Sequence, residues 1–253
     1  GLAAGPSSVA RTGQILSWRR PPWQEPPAPL HFGILFRDED LLAVAKPSGL
    51  PTLPGGGRYL EHTLLHQVRR RFQEASPAHR LGTGTSGVLL LGRTRLARSR
   101  LGRAFREGKV HRVYRGLACG HPEETRFQID VPIGPVPHGP TGSLHAVCAD
   151  GKPAATEVTV LERRHDGNSL LEIVIRSGRS HQIRAHLAWA GHPLVGDPLF
   201  GPGGLPLQGS ASLPSDSGYR LHAASIEFCH PRDGRTIRVE CAPPKELRES
   251  PDA

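Results

Sequence analysis

The side chains best suited to chemistry lie in a short polar segment, residues 177–187. Five polar side chains fall within eight positions there: Arg179, His181, Gln182, Arg184 and His186. Gly178 precedes them and lets the main chain approach a ligand closely, while the free amides at the start of a helix attract anions. This pattern suits binding of a phosphate or a uracil, or pairing of Arg184 with a buried carboxylate. The alternative is an amphipathic surface helix with Ile183 and Leu187 turned inward.

A second segment, residues 79–87, reads His-Arg-Leu-Gly-Thr-Gly-Thr-Ser-Gly and leads into the apolar run Val88–Leu91. Such a run, bounded by glycine, predicts a buried strand, so the segment forms a loop at the strand's start. Gly82 stands in the middle of this loop. Because glycine has no side chain, it can act neither as a nucleophile nor as a base.

The basic charge predicts an anionic partner. The formal net charge is +9, and the chain has four lysines among its 32 basic residues, so 28 are arginines. The planar guanidinium suits phosphates and stacks on bases, and excess positive charge is typical of proteins that bind nucleic acid. A GC-rich genome would produce the same composition, so the charge alone leaves both interpretations open.

Many strands and few helices, out of strict alternation, predict an α+β fold. Strands are predicted over 34–36, 41–45, 88–91, 110–119, 155–161, 169–175, 224–229 and 235–240. Helices are predicted over 61–74, 95–107 and 180–190. The second helix carries five arginines, which we expect to face an anionic partner, although a solvated face has the same pattern. Loops rich in proline and glycine are predicted over 132–142 and 201–218.

The composition along the chain predicts one folded domain between two tails. Residues 1–30 are rich in proline, serine and arginine and are predicted to be disordered. Residues 31–245 are predicted to form the domain, and residues 246–253 a C-terminal tail.

Several motifs, in order along residues 32–242, resemble those of the RluA-type RNA pseudouridine synthases. Residues 79–87 are similar to that family's active-site segment, HRLDxxTSG, at every fixed position except 82. The other matching segments are Lys46-Pro47-Ser48-Gly49-Leu50, Tyr114, residues 178–187 (GRSHQIRAHL), residues 191–197 (GHPLVGD), Leu221-His222-Ala223 and His230-Pro231.

The resemblance implies a catalytic domain with a central mixed, mostly antiparallel sheet and an RNA-binding cleft across it. It implies isomerisation of uridine to pseudouridine in RNA, without a cofactor, on a uridine flipped out of its stack. Tyr114 would stack on the base and assist removal of the C5 proton, and Arg184 would hold the catalytic carboxylate. The residues that would shape the site or contact RNA are Arg80, Thr85, Lys46, Arg179, His181 and Gln182.

Gly82 stands where the family carries its catalytic aspartate, so Arg184 is expected to lack its carboxylate partner. Three interpretations follow. Another carboxylate substitutes, with Asp197, Asp38 and Asp40 as candidates; the protein is an RNA-binding pseudoenzyme; or the mechanism is rearranged. From residue chemistry, we expect activity far below that of a sequence with aspartate at this position.

Other features predict no metal site and no membrane span. His62 and His66 are four residues apart, a spacing that could hold a metal, but no third ligand is evident nearby. No apolar run reaches the length of a membrane span. The four cysteines are far apart, which favours reduced thiols in an intracellular compartment, the cytoplasm first, with a plastid or mitochondrion as the alternative. A monomer is expected, and the partner could be ribosomal, transfer or messenger RNA.

Overall fold

The computed structural model describes residues 5, 7–15, 17, 24–55, 58–209 and 211–250. Its strands are β1 (Gly33–Arg37), β2 (Leu41–Lys46), β3 (Ser76–Pro77), β4 (Ser86–Gly92), β5 (His111–Cys119), β6 (Arg126–Asp130), β7 (Ile133–His138), β8 (Gly142–Val147), β9 (Ala155–Arg163), β10 (Asn168–Ile175), β11 (Leu221–Cys229) and β12 (Thr236–Glu240). Its α-helices are α1 (Leu64–Arg69), α2 (Arg95–Arg106) and α3 (Gln182–Trp189).

A mixed ten-stranded sheet forms the centre of the fold. Its strands follow the order β1-β2-β4-β11-β5-β10-β9-β6, with β3 added beside β4 and β12 beside β11. Strands β4 and β11 pair in parallel, and the other pairs of this sheet are antiparallel. The predicted α+β class, with a central mixed and mostly antiparallel sheet, is therefore confirmed.

The middle of the sheet is covered on both faces, which explains the unbroken apolar runs of β2 and β4. Side chains alternate between the faces of a strand. Leu89 and Leu91 of β4 accordingly join the apolar cluster that contains Ile183 of α3, while Val88 and Leu90 join the cluster that contains Leu101 of α2. Helices α2 and α3 therefore pack on opposite faces of the sheet, so the arginines of α2 do not share a face with the polar segment of α3.

Helix α1 is shorter than predicted, because the pattern that suggested residues 61–74 does not show where a helix is capped. Thr63 caps its start: the threonine side chain accepts a hydrogen bond from the main-chain N–H of His66. The helix ends at Arg69, and the following residues turn toward β3.

The loop predicted over residues 132–142 is instead part of a hairpin, in which β7 and β8 form a separate two-stranded sheet. Pro135 and Pro137 suggested a loop because proline lacks an N–H for a sheet ladder. In a two-stranded sheet both strands are edges, where proline is tolerated.

Contacts of the domain extend beyond the bounds predicted for it. The carboxylate of Glu25 accepts hydrogen bonds from the main-chain N–H groups of Glu61, at 2.8 Å, and His62, at 2.7 Å. At the other end, Leu247 is buried. Part of the predicted N-terminal tail (residues 1–4, 6, 16 and 18–23) and residues 251–253 lie outside the described residues.

Candidate functional site

The loop around Gly82 is held by its main chain. The carbonyl oxygen of Leu81 accepts a hydrogen bond from Thr52 Oγ1 at 2.8 Å, and that of Gly84 accepts one from Ser48 Oγ at 2.7 Å. The carbonyl oxygen of Thr83 accepts from the main-chain N–H of Gly49 at 2.8 Å. The segment that follows β2 therefore fixes the loop, and none of these bonds involves a side chain at position 82.

Lys46 contributes to the same arrangement. Its Nζ is buried and donates to the carbonyl oxygens of Pro47, Leu50 and Thr83 at 2.9, 2.7 and 3.1 Å. An ammonium has three donors, so all of them are used, and burial lowers the pKa of Lys46 to about 7. This side chain therefore holds the loop, and its predicted RNA contact, for which no donor is left free, stays a prediction.

Arg184 has a carboxylate partner, contrary to expectation. Its Nε lies 2.7 Å from Asp197 Oδ2 and its Nη2 lies 2.6 Å from Asp197 Oδ1, and both side chains are at most 4% exposed. Asp197 Oδ1 also accepts hydrogen bonds from the main-chain N–H groups of Leu199 and Phe200. Both carboxylate oxygens are thus occupied. Within the described part of the chain, Nη1 of Arg184 has no hydrogen-bond partner.

The aromatic ring closest to Arg184 is that of Tyr219. The Arg184 guanidinium carbon lies 4.1 Å from the ring centroid, within the range of a cation–π contact. The hydroxyl of Tyr219 lies 3.3 Å from Thr85 Oγ1, and the ring is buried. Tyr219 therefore contacts both Thr85, which was predicted to shape the site, and Arg184. The sequence did not identify Tyr219 as a candidate.

Gly82 and Gly84 leave the space that this tyrosine occupies. A Cβ at position 82 would lie 2.4 Å from the hydroxyl oxygen of Tyr219, and a Cβ at position 84 would lie 2.9 Å from ring carbons. Both are closer than real Cβ atoms approach, so any larger residue requires the ring or the loop to move. Gly82 itself is exposed, which places this hydroxyl next to an open part of the loop.

Tyr114 lies on β5, opposite Ala223 of β11, and belongs to the same buried cluster as Tyr219. Burial raises the pKa of its phenol, while the neighbouring Arg112 guanidinium lowers it. Arg112 is buried, and its Nε has no hydrogen-bond partner among the described residues. The pairing of Tyr114 with Arg184 around a uridine remains a prediction.

His181, at the start of α3, lies close to Arg184. Its backbone is left-handed, with φ of 60°, a conformation that in a residue other than glycine often marks a functional site. Its ring lies 5.8 Å from that of Phe200. Burial, together with the positive charge of Arg184, lowers the pKa of His181 to about 3. The exposed Arg80 acts on the same histidine electrostatically, so these three predicted residues share one region.

Two further residues predicted to contact RNA have structural partners instead. Gln182 is buried and its amide nitrogen donates to the carbonyl oxygen of Ala155 and to Thr156 Oγ1. Arg179 donates from Nε and Nη2 to the carbonyl oxygen of Pro153, both at 3.1 Å. The predicted RNA contact of Gln182 therefore gains no support and stays a prediction, and Arg179 has two of its nitrogens already occupied.

The other candidate carboxylates lie elsewhere. Asp40 accepts hydrogen bonds from Arg232 Nε at 2.5 Å and from Thr94 at 2.6 Å, and Arg232 is the main reason that its pKa is lowered. Asp38 accepts from His230 at 3.0 Å. Neither is bonded to the loop around Gly82 or to Arg184, so these contacts do not support them as substitutes.

In the part of the chain that the structure describes, no group of three or more histidine, cysteine or acidic side chains is arranged to hold a metal. Over the same residues, no helix is both long and apolar enough to cross a membrane.

Comparisons with known proteins agree with the family resemblance of the sequence motifs. A family model described as RNA pseudouridylate synthase matches residues 40–189. An RNA pseudouridine synthase of Synechocystis, described as uncharacterized, is 44% identical over 98% of this chain and 85% of its own length. A dual-specificity RNA pseudouridine synthase RluA of Vibrio parahaemolyticus is 33% identical over 85% of this chain and 86% of its own. The solved structure of human RNA pseudouridylate synthase domain containing 1 matches with a TM-score of 0.69 at 27% identity, covering 89% of both chains.

Proposed function

Because this chain belongs to the RNA pseudouridylate synthase family, we propose that it isomerises uridine to pseudouridine in RNA at the site formed by the Gly82 loop and Arg184. The observation that carries the proposal is the buried pair of Arg184 and Asp197, which fixes the arginine beside that loop. Buried charged pairs need good geometry and further hydrogen bonds to be stable. In this pair, Asp197 accepts two hydrogen bonds from Arg184 and two from main-chain N–H groups.

The unused Nη1 of Arg184 gives the site a donor for the substrate. A buried polar atom without a partner costs free energy, and it is best explained by a ligand that completes its hydrogen bonding. A flipped uridine offers carbonyl and ribose oxygens as acceptors. Arg80, exposed beside the loop, would contact the flanking phosphates.

The second candidate function is that of an RNA-binding protein without catalysis, and Gly82 favours it. The test uses transcribed ribosomal and transfer RNA labelled with [5-³H]uridine, since formation of pseudouridine releases the C5 proton. Tritium release with turnover, together with pseudouridine in the digested RNA, supports the synthase. RNA binding without release by the purified protein refutes the synthase and supports the second function.

The finer assignments are part of this proposal. We infer an intracellular site of action, with the cytoplasm first and an organelle as the alternative, from the four cysteines, which are all free. We also infer a monomer. Light scattering after size exclusion tests this, and a mass near twice 27.3 kDa would refute it.

A further inference from the structure

A hydroxyl oxygen lies next to position 82, where the family carries its carboxylate. The oxygen of Tyr219 is 2.4 Å from the position of a Cβ at residue 82. In an aspartate, each carboxylate oxygen lies about 2.4 Å from its Cβ, as a peptide oxygen does from its Cα. The Tyr219 oxygen is therefore at the distance from position 82 that a carboxylate oxygen of the family's aspartate would have.

The position of this hydroxyl is well determined by its surroundings. The ring lies against the Arg184 guanidinium on one side and against Gly84, which has no Cβ to obstruct it. The hydroxyl also contacts Thr85 Oγ1 at 3.3 Å. The ring has two rotatable side-chain bonds, so contacts on several sides leave the oxygen little freedom.

Asp197 is not available as an alternative nucleophile. Its two oxygens accept two hydrogen bonds from Arg184 and two from the main chain, and its side chain is 1% exposed. An attack by this carboxylate would break the pair with Arg184 and leave the buried charge of the arginine without a partner, which is strongly unfavourable.

Resting on the proposed function, we propose that Tyr219 is a catalytic residue, whose hydroxyl replaces the carboxylate absent at position 82. Tyrosine is an established nucleophile at an anomeric carbon, since sialidases use one in place of a carboxylate. The Arg184 charge beside the ring stabilises negative charge as it develops on the phenol oxygen.

The steps balance without a co-reactant. The phenol oxygen of Tyr219 forms a bond to C1′, the bond from C1′ to N1 breaks, and its electron pair leaves with uracil, which takes up the phenol proton. The uracil turns, C5 forms a bond to C1′, and the bond from C1′ to the phenol oxygen breaks. The phenolate then receives the proton that C5 loses, which regenerates the phenol.

The test compares Tyr219→Phe with the matched control Ser169→Ala, which also removes one hydrogen-bonded hydroxyl from a buried residue. The substrate is the [5-³H]uridine-labelled ribosomal and transfer RNA. We expect Tyr219→Phe to lower kcat by at least about 100-fold, with KM and filter-binding affinity within about threefold of the native chain. Ser169→Ala should keep the native kcat.

A second variant separates chemistry from packing. Replacement of Tyr219 by a ring-fluorinated tyrosine keeps the shape and the hydroxyl but makes the phenol more acidic, so the pH profile of kcat should move to lower pH. A native chain that turns over, together with a Tyr219→Phe variant of equal kcat or an unmoved profile, overturns the catalytic role alone. A native chain that releases no tritium overturns the proposed function, and the role of Tyr219 with it.

Discussion

Restoring the family's aspartate with Gly82→Asp is expected to destabilise this protein. The new Cβ would lie 2.4 Å from the Tyr219 hydroxyl oxygen, and the ring cannot retreat easily because Arg184 and Gly84 lie against it. Overpacking of this kind costs about 1–3 kcal/mol. For a domain of this size, that corresponds to a fall in Tm of about 2–12 °C.

The same substitution is expected to be tolerated in a Tyr219→Phe background. Without the hydroxyl, the atoms nearest to the new Cβ are Thr85 Oγ1 at 3.5 Å and the ring carbon Cζ at 3.7 Å, which are ordinary contacts, and the carboxylate can turn away from the ring toward the exposed side of Gly82. The two substitutions should therefore couple by about 1–2 kcal/mol in the favourable direction. The new carboxylate would also lie near Arg184, whose Nη1 has no partner among the described residues, so the double variant should release tritium faster than Tyr219→Phe alone.

Urea unfolding of the native chain, the two single variants and the double variant gives the coupling directly. Tritium release from the same four proteins gives the activity. If the two free-energy changes add to within about 0.5 kcal/mol, the hydroxyl does not occupy the space of a side chain at position 82, and the reasoning is refuted.

Three further perturbations follow from the structure. Asp197→Asn leaves Arg184 buried without a charged partner and should lower the free energy of unfolding by about 3–5 kcal/mol; a loss below about 1 kcal/mol in urea titration would contradict this. Burial lowers the pKa of His79 to about 3, and its Nε2 accepts a hydrogen bond from the Leu90 N–H, so the unfolded state binds more protons between pH 6.5 and 3 and stability should fall as pH falls through that window. Stability should decline less steeply with falling pH in His79→Gln, and an equal slope would exclude His79 as a cause of the decline. Gly87→Ala puts a Cβ 2.1 Å from a carbonyl oxygen of β11 at φ of 107°, so it should cost more than about 3 kcal/mol; a folded variant of near-native Tm would refute this.

The fold class could be predicted because the apolar runs of β2 and β4 and the alternation of β9 and β10 are strong local signals. The hairpin of β7 and β8 could not, because Pro135 and Pro137 are typical of loops and only an edge position tolerates them in a strand. The end of α1 could not be predicted from the apolar pattern either, because Phe72 continues the helical spacing that starts at Leu64 although the helix ends at Arg69.

The segments that form the site could be predicted from the sequence, but the contacts between their side chains could not. Arg184 was singled out by its residue type and the Gly82 loop by its motif, and Asp197 was one of three candidate carboxylates, but its pairing with Arg184, 13 residues away along the chain, was not expected. Tyr219 gave no signal at all, because a single tyrosine before a strand is an ordinary core residue. Its importance comes from the space left by two glycines, and that is a property of the folded chain.

A glycine at position 82 removes the carboxylate but does not disturb the structure of the rest of the site, for two reasons. The loop is held through main-chain carbonyl oxygens by Lys46, Ser48 and Thr52, so its shape does not depend on any side chain at position 82. The charge of Arg184 is balanced by Asp197, so the arginine does not need a carboxylate from the loop to remain buried. What the substitution changes is therefore the identity of the group that faces the substrate from this position, and the group found there is the hydroxyl of Tyr219.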